Sequence, residues 1–283
     1  MEFTSLPEGC LSTVLSFTSP LHVCKSSLVS TSFQSAADSD IVWESFLPCD
    51  YPDIISRSIT PLKFSSKKEL FICLCDPIFL DGGRKNFKLE KSTGRKSYIL
   101  SARDLSITWS NQAMYWNWVS LPESSFFEVA ILRTVCWLEI QGKIKTQMLS
   151  PNTQYGAYLI LKISDRAYGL DLIPCEVSIE VDNLLSSSTA YLRHGQYSKK
   201  QQMEHLFFAN RTHMLKSRVV EGDARVPSGR EDGWLEIELG EFFVNGESDE
   251  EVKMSLKEVK GQHLKGGLII EGIEVRPKQY PSS

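Results

Sequence analysis

Tryptophans are concentrated in one segment of the chain, together with side chains that could bind a sugar. Three of the six tryptophans lie within residues 101–118, where Asn111, Gln112 and Tyr115 stand between them. An indole ring can stack on the apolar face of a pyranose, while amide and phenol groups meet its hydroxyls. The segment therefore predicts a carbohydrate-binding loop. The alternative is that three aromatic residues so close together belong to a β-sandwich core.

Sequence patterns for catalysis are missing from the chain. It contains no glycine-rich nucleotide loop, no zinc-protease motif and no nucleophile elbow. The five histidines lack the spacing of metal ligands. Glu236 and Glu238 share one face of a predicted strand, which explains them better as its wet side than as a glycosidase pair. We expect a non-catalytic protein with no cofactor and no metal.

Composition and charge limit the classes of protein to which this chain can belong. The 283 residues are 42% hydrophobic and 23% charged, as in a soluble globular protein of one large or two modest domains. A net charge of −4 argues against nucleic-acid binding. The chain has no apolar run long enough for a membrane span and no secretory signal at its start. Seven cysteines without framework spacing indicate reduced thiols, and hence a cytoplasmic or nuclear location.

Residues 1–50 contain the patterns of four short helices. Pro7 suits the first turn of a helix, and Leu11 and Leu15 recur on one face of it. Trp43 and Phe46 mark the fourth helix. Helices this short cannot bury their apolar faces among so few residues, so a module of this kind usually uses a partner's surface to complete its core.

The order and spacing of these residues resemble an F-box. The resemblance implies docking onto a Skp-type adaptor within a cullin ubiquitin ligase, and it places Trp43 in the module's own core. The alternative is a generic helical cap on the following domain. The adaptor-binding surface that the resemblance implies consists of Leu6, Pro7, Leu11, Leu15 and Leu28. The matching pieces are Leu6-Pro7, Val14-Leu15-Ser16-Phe17, Cys24 to Phe33 and Asp40 to Phe46.

The rest of the chain predicts a β domain. Residues 51–95 are interpreted as a linker with a short helix at 67–75, and residues 96–278 alternate mostly with period two. The fold class expected is α+β multidomain: a small helical F-box, then an antiparallel, jelly-roll-like β-sandwich. The polar stretch 184–231 is interpreted as an insertion forming loops at one end of the sandwich, where binding sites are common.

Four blocks of this β region resemble the phloem protein 2 and Nictaba-type lectins. The resemblance implies binding of N-acetylglucosamine oligomers or N-glycans through Trp109 and Trp116, and it also implicates Glu251 and Glu258. Asn111 and Tyr115 join the predicted site because of their place in the loop. The blocks are Ser101–Trp109 with Tyr115–Trp118, Glu128–Ile144, Asp232–Phe243 and Gly272–Pro277.

The alternation of residues along the predicted strand places Glu251 and Glu258 on opposite faces of it. Glu251 alternates with lysines and a serine, so it faces water, whereas Glu258 has the parity of the apolar set. A bulge or a strand end must turn Glu258 outward for it to reach a ligand. The alternative for Glu258 is a salt bridge at the edge of the core. Trp118 and Trp137 are interpreted as core residues.

The two resemblances together imply a plant F-box protein of the phloem protein 2 class. Its function would be substrate recognition for a Skp–cullin–F-box ligase, with the sandwich capturing a glycoprotein and other subunits transferring ubiquitin. The runner-up is an F-box adaptor that recognises a protein surface, through a lectin fold that no longer binds sugar. A third hypothesis is a free cytosolic lectin with a vestigial helical module.

Overall fold

The computed structural model describes residues 7–193, 224–246 and 249–278. Helices come first and two antiparallel sheets follow, which confirms the expected fold class. No helix in these ranges is long and apolar enough to cross a membrane. The helices are α1 Glu8–Ser16, α2 Pro20–Ser26, α3 Thr31–Asp38, α4 Asp40–Glu44, α5 Tyr51–Ser56 and α6 Lys67–Cys75. The strands are β1 Ile78–Leu80, β2 Lys85–Leu89, β3 Lys96–Ser101, β4 Ser106–Ile107, β5 Trp116–Val119, β6 Val129–Leu132, β7 Leu138–Lys145, β8 Thr153–Tyr168, β9 Cys175–Val181, β10 Leu184–Ala190, β11 Ser228–Gly229, β12 Leu235–Val244, β13 Glu251–Glu258 and β14 Gly266–Pro277.

Serine caps and one tryptophan organise the helical module, residues 7–50. The Oγ atoms of Ser19 and Ser30 accept backbone N–H groups at the starts of α2 and α3, which satisfies donors that a helix leaves free. Trp43 is buried and donates its indole N–H to the carbonyl of Ala37 at 2.6 Å. Its ring centroid lies 5.2 Å from that of Phe71 on α6. Trp43 is therefore a core residue of the module, as predicted, and it also packs against α6 outside the module.

The segment 51–95 contains more structure than the predicted linker with one helix. It also forms α5, β1 and β2, and the last two pair with β3 in the larger sheet. The sheet thus begins at Ile78, before the predicted boundary at residue 96. Asp50 at the end of the helical module pairs with the buried ammonium group of Lys96 on β3 at 2.7 Å. In addition, buried apolar residues of the helical module and of the sandwich form one continuous hydrophobic core.

The sandwich consists of a nine-stranded and a five-stranded sheet. The larger sheet runs β1-β2-β3-β14-β8-β12-β11, with β5 and β6 attached beside β14. The smaller runs β10-β9-β13-β7-β4. Strand β8 lies at the centre of the larger sheet because its residues from 155 to 161 are apolar or small on both faces. Gly272 lies at a bulge in β14, where a Cβ would stand 2.1 Å from the carbonyl oxygen of Leu100.

Two segments differ from the sequence predictions. The strand predicted at 105–109 is only the two residues of β4, because Trp109 takes a left-handed backbone conformation with φ +59°. The predicted loop insertion 184–231 contributes β10, an outer strand of the smaller sheet, and β11. A turn with positive φ at Asp182 and Asn183 lets β10 fold back on β9. Residues 194–223 of the insertion lie outside the described residues.

Candidate functional site

The predicted adaptor-binding residues divide into buried and exposed side chains. Leu11 and Leu15 are buried, because α1 turns this face towards α3 and α4. Their assignment to a partner surface is therefore wrong: they pack the module's own core. Pro7 is exposed, and Leu28 is 87% exposed in the turn after α2. Leu6 lies outside the described residues.

Other apolar side chains of the helical module are exposed, and the prediction missed them. The opposite side of α1 and the following turn expose Val14 and Phe17, the latter by 85%. Ser45 at the end of α4 donates its hydroxyl to the carbonyl of Ser16 at 3.2 Å, which brings α4 against the end of α1. These exposed leucine, valine, isoleucine and phenylalanine side chains are the candidates for an interaction surface on the helical module. We call this set the apolar helical surface: Val14, Phe17, Leu28, Val29 and Ile41.

The second candidate site is the Trp109 loop, residues 108–115, between β4 and β5. Trp109 is 37% exposed, and its ring centroid lies 5.1 Å from that of the half-buried Tyr115. The rings are tilted by 36°, so they form a bent aromatic surface. Asn111 and Gln112 are exposed in the same loop. The structure thus brings together an indole, a phenol and two amides, as the sequence predicted.

Trp116 is a correction to the predicted site. Only 2% of this residue is exposed, and its indole N–H donates to the carbonyl of Thr108 at 3.0 Å. The reason is that Trp116 begins β5 and points into the space between the sheets, whereas Trp109 lies in the turn. A sugar cannot stack on a ring that is sealed in the core. Direct contact between Trp116 and a ligand is therefore excluded in this conformation.

Glu258 is also buried and does not face a ligand. Its carboxylate contacts the ammonium group of Lys265, and one of its oxygens accepts the N–H of Gly261 at 2.8 Å. The expected alternative, a salt bridge at the edge of the core, describes this arrangement. Glu258 is the last residue of β13, and this strand end leaves its side chain buried instead of turning it outward.

Glu251 faces water, as strand parity predicts, but it lies far from the Trp109 loop. It stands opposite Lys145 at one end of β7, while the N–H of Thr108 donates to the carbonyl of Glu139 near the other end. Six residues of extended strand separate these points by roughly 20 Å. Glu251 pairs with Lys143 at 2.9 Å, and this ion pair lowers the pKa of its carboxyl. Trp109 and Glu251 therefore cannot bind the same monosaccharide.

Trp137 is an exposed aromatic residue that sequence reasoning assigned to the core. It is 43% exposed, and its indole N–H donates to the carboxylate of Glu139 at 3.1 Å. This bond is the main cause of a lowered pKa at Glu139, and Lys257 adds to it from 3.2 Å away. Trp137 precedes β7 by one residue and has the parity of Glu139, which faces outward. This shared parity could have predicted an exposed Trp137, but the apolar character of tryptophan led to its assignment to the core.

Comparisons with known proteins find a family for the β region of the chain and another for its helical module. A family model described as phloem protein 2 matches residues 95–277, and one described as F-box domain matches residues 3–45. F-box protein PP2-B15 of Arabidopsis thaliana is 55% identical over 278 residues, which cover 96% of each chain. F-box protein PP2-B13 of the same plant is 51% identical over 277 residues, covering 96% of this chain and 98% of the relative. F-box protein VBF, also of Arabidopsis thaliana, is 51% identical over 279 residues, which cover 96% of this chain and 99% of the relative.

Proposed function

This chain belongs to the phloem protein 2 family of plant F-box proteins, and we propose that it is the substrate-recognition subunit of a Skp–cullin–F-box ubiquitin ligase. The observation that carries the proposal is the joining of two unlike surfaces on one continuous core. The apolar helical surface serves one partner, and the Trp109 loop serves another. The chain itself does no covalent chemistry, and other subunits of the ligase transfer ubiquitin.

The apolar helical surface is proposed as the docking site of a Skp-type adaptor. Phe17 and Leu28 are almost fully exposed, although both are residues that normally lie in a core. Burial of such side chains against a partner stabilises a complex by roughly 1.5–3 kcal/mol each. The buried Leu11 and Leu15 support this surface from inside but do not form it.

The Trp109 loop is proposed as the site that captures a glycan on a target protein. N-acetylglucosamine oligomers or N-glycans are the ligands considered, with Trp109 as the stacking ring. Tyr115 continues the aromatic surface, and the exposed amides of Asn111 and Gln112 are placed to meet hydroxyl or acetamido groups. An open surface of this kind leaves a stacked sugar partly hydrated, so we expect weak to moderate affinity.

Adaptor capture tests the first half of the proposal. The full chain is co-expressed with a Skp-type adaptor, and Phe17→Asp and Leu28→Asp are compared with the original chain in pull-downs. Phe127→Asp is the matched control, because Phe127 is also 85% exposed but lies in the sandwich before β6. Loss of the adaptor in the two helical variants alone supports the docking surface. Equal capture by all four chains would show that the adaptor binds elsewhere or not at all.

Sugar binding tests the second half. Trp109→Ala is compared with the original chain on a glycan array and by titration with chitotriose. Phe243→Ala is the control, since Phe243 is an exposed aromatic residue on β12 of the larger sheet and lies outside the Trp109 loop. We expect Trp109→Ala to lose glycan retention while its thermal transition stays within a few degrees. Glycan binding that survives this substitution would remove the Trp109 loop as the sugar site.

The burial of Trp116 favours a second candidate function, in which the sandwich recognises a protein surface without sugar. Only one of the two predicted stacking indoles is exposed. Leu184 and Leu185 are exposed on the outer strand β10 and offer an apolar contact for a protein. A glycan array on which the original chain retains no sugar, together with target capture that is lost in Leu184→Asp, would favour this function.

A further inference from the structure

The Trp109 loop has a backbone conformation that its own residue types do not favour. Trp109 is a non-glycine residue at φ +59°, a region that bulky residues rarely occupy. Such a conformation persists only where the surrounding structure fixes it. Two backbone bonds close turns at this point: the N–H of Gln112 donates to the carbonyl of Trp109 at 2.9 Å, and the N–H of Ser110 donates to the carbonyl of Ile107 at 3.1 Å. Further restraint comes from side chains outside the loop.

Two indole N–H groups from β5 supply that restraint. Trp116 donates to the carbonyl of Thr108 at 3.0 Å, and Trp118 donates to the carbonyl of Ser110 at 2.8 Å. These two carbonyls stand immediately before and after Trp109 in the chain. The donors are two residues apart on a strand, so they point to the same side, and their acceptors are also two residues apart. The bonds therefore hold both sides of Trp109.

Both donors are themselves fixed by packing. Trp116 is sealed in the core, and the guanidinium group of Arg103 lies 3.7 Å from the centre of the Trp118 ring. Arg103 is in turn held by Glu128 at 2.6 Å. A donor with a fixed ring restrains its acceptor more than a mobile side chain would, because little of its own freedom is lost.

We propose that Trp116 and Trp118 are positioning residues, whose indole N–H groups hold the backbone on both sides of Trp109 and so orient its exposed ring for the ligand. The inference rests on the proposed glycan-binding function and deepens it. It assigns Trp116 a role that needs no contact with sugar, and it adds Trp118, which sequence reasoning placed in the core.

The test replaces each donor by a ring that cannot donate. Trp116→Phe and Trp118→Phe keep an aromatic side chain and remove the N–H. Trp234→Phe is the matched control, because Trp234 is as buried as Trp116 and donates its indole N–H to the carbonyl of Glu123 at 3.0 Å, outside the Trp109 loop. Hydrogen exchange of the full chain is followed at the amides of Ser110 and Gln112, whose hydrogen bonds close the turns on either side of Trp109. Binding of chitotriose is measured on the same variants.

We expect exchange at these two amides to become about two- to tenfold faster in Trp116→Phe and Trp118→Phe, from the net value of one hydrogen bond, and to stay unchanged in Trp234→Phe. Chitotriose affinity should fall by a similar factor in the two loop variants. Unchanged exchange in both loop variants overturns the proposal, and so does faster exchange spread over the whole chain. If Trp116→Phe does not fold, Trp118→Phe decides alone. If Trp109→Ala still binds chitotriose, the glycan-binding function fails, while the exchange result still decides whether the loop is held in this way.

Discussion

The carboxylate of Glu258 contacts the ammonium group of Lys265, and both side chains are almost completely buried. Lys265 also donates to the carbonyl of Cys136 at 2.6 Å, next to the exposed Trp137. The backbones of Lys265 and Val135 exchange two hydrogen bonds, of 2.8 and 3.0 Å. The ion pair thus ties the end of β13 to the segment that carries Trp137. A role for Glu258 in ligand binding would be exerted through this segment.

Removing one member of this ion pair should lower the free energy of unfolding far more than removing both members. Lys265→Met leaves the carboxylate of Glu258 buried without a cation, which we expect to lower the free energy of unfolding by about 3–5 kcal/mol. Urea unfolding of the full chain measures this loss. The double variant Glu258→Leu/Lys265→Met serves as the control and should recover most of it. A single variant that loses less than about 1 kcal/mol would show that the pair is not desolvated.

Substitutions of a buried and an exposed leucine of the helical module should separate effects on stability from effects on adaptor binding. Leu15→Ala removes buried volume and is expected to destabilise the module by about 2–5 kcal/mol. Leu28→Ala removes an exposed side chain, so stability should change by less than about 0.5 kcal/mol while adaptor affinity falls. Thermal unfolding and calorimetric titration of the adaptor measure the two effects. The assignment of Leu28 to the docking surface fails if its variant binds as well as the original chain.

Acid should weaken the ion pair that joins the end of α5 to the turn after β1. The guanidinium group of Arg57, the residue after α5, bonds the carboxylate of Asp81 after β1 at 2.9 Å, and mainly for this reason the pKa of Asp81 falls from 3.8 to about 2. A pKa lowered by folding means that the carboxylate stabilises the folded chain above pH 4. This stabilisation is lost as the pH falls from about 4 to about 2.

We expect the contribution to be on the order of 1 kcal/mol, since both side chains remain partly exposed to solvent. Urea midpoints are compared for the original chain and Asp81→Asn between pH 6 and pH 2. The two chains should differ at pH 6 and converge at pH 2. A difference that persists at the acid end would assign the effect to packing rather than to charge.

Gly94, in the turn between β2 and β3, tests how closely the module and the sandwich fit. Its φ is +71°, and a Cβ would stand 2.9 Å from the carbonyl oxygen of Phe46. Gly94→Ala should cost the left-handed penalty of about 1–2 kcal/mol plus the cost of moving the helical module. Gly82→Ala is the control, because Gly82 has φ +68° and open space around its missing Cβ. Equal losses in unfolding free energy would mean that the contact at Phe46 relaxes freely.

Much of this protein was determined by the sequence itself. Spacing along a single element decides which residues form a helix or a strand, so the helical module and the sandwich could be predicted. The aromatic loop could be predicted too, since Asn111 and Gln112 interrupt a strand pattern beside Trp109 and Tyr115. These are local properties, and residue types carry them without knowledge of the neighbours.

Only the tertiary structure decided which of the chemically similar residues face outward. Trp109 and Trp116 are both tryptophans of one motif, but a left-handed turn exposes the first and the start of β5 buries the second. Glu258 is buried because Lys265, on the other side of a turn, supplies a counter-charge. Leu15 and Leu28 differ in the same way, since packing of α1 on α3 and α4 buries only the first. The physical reason is that exposure depends on the partners an element meets across the core, and the period of one element does not contain that information.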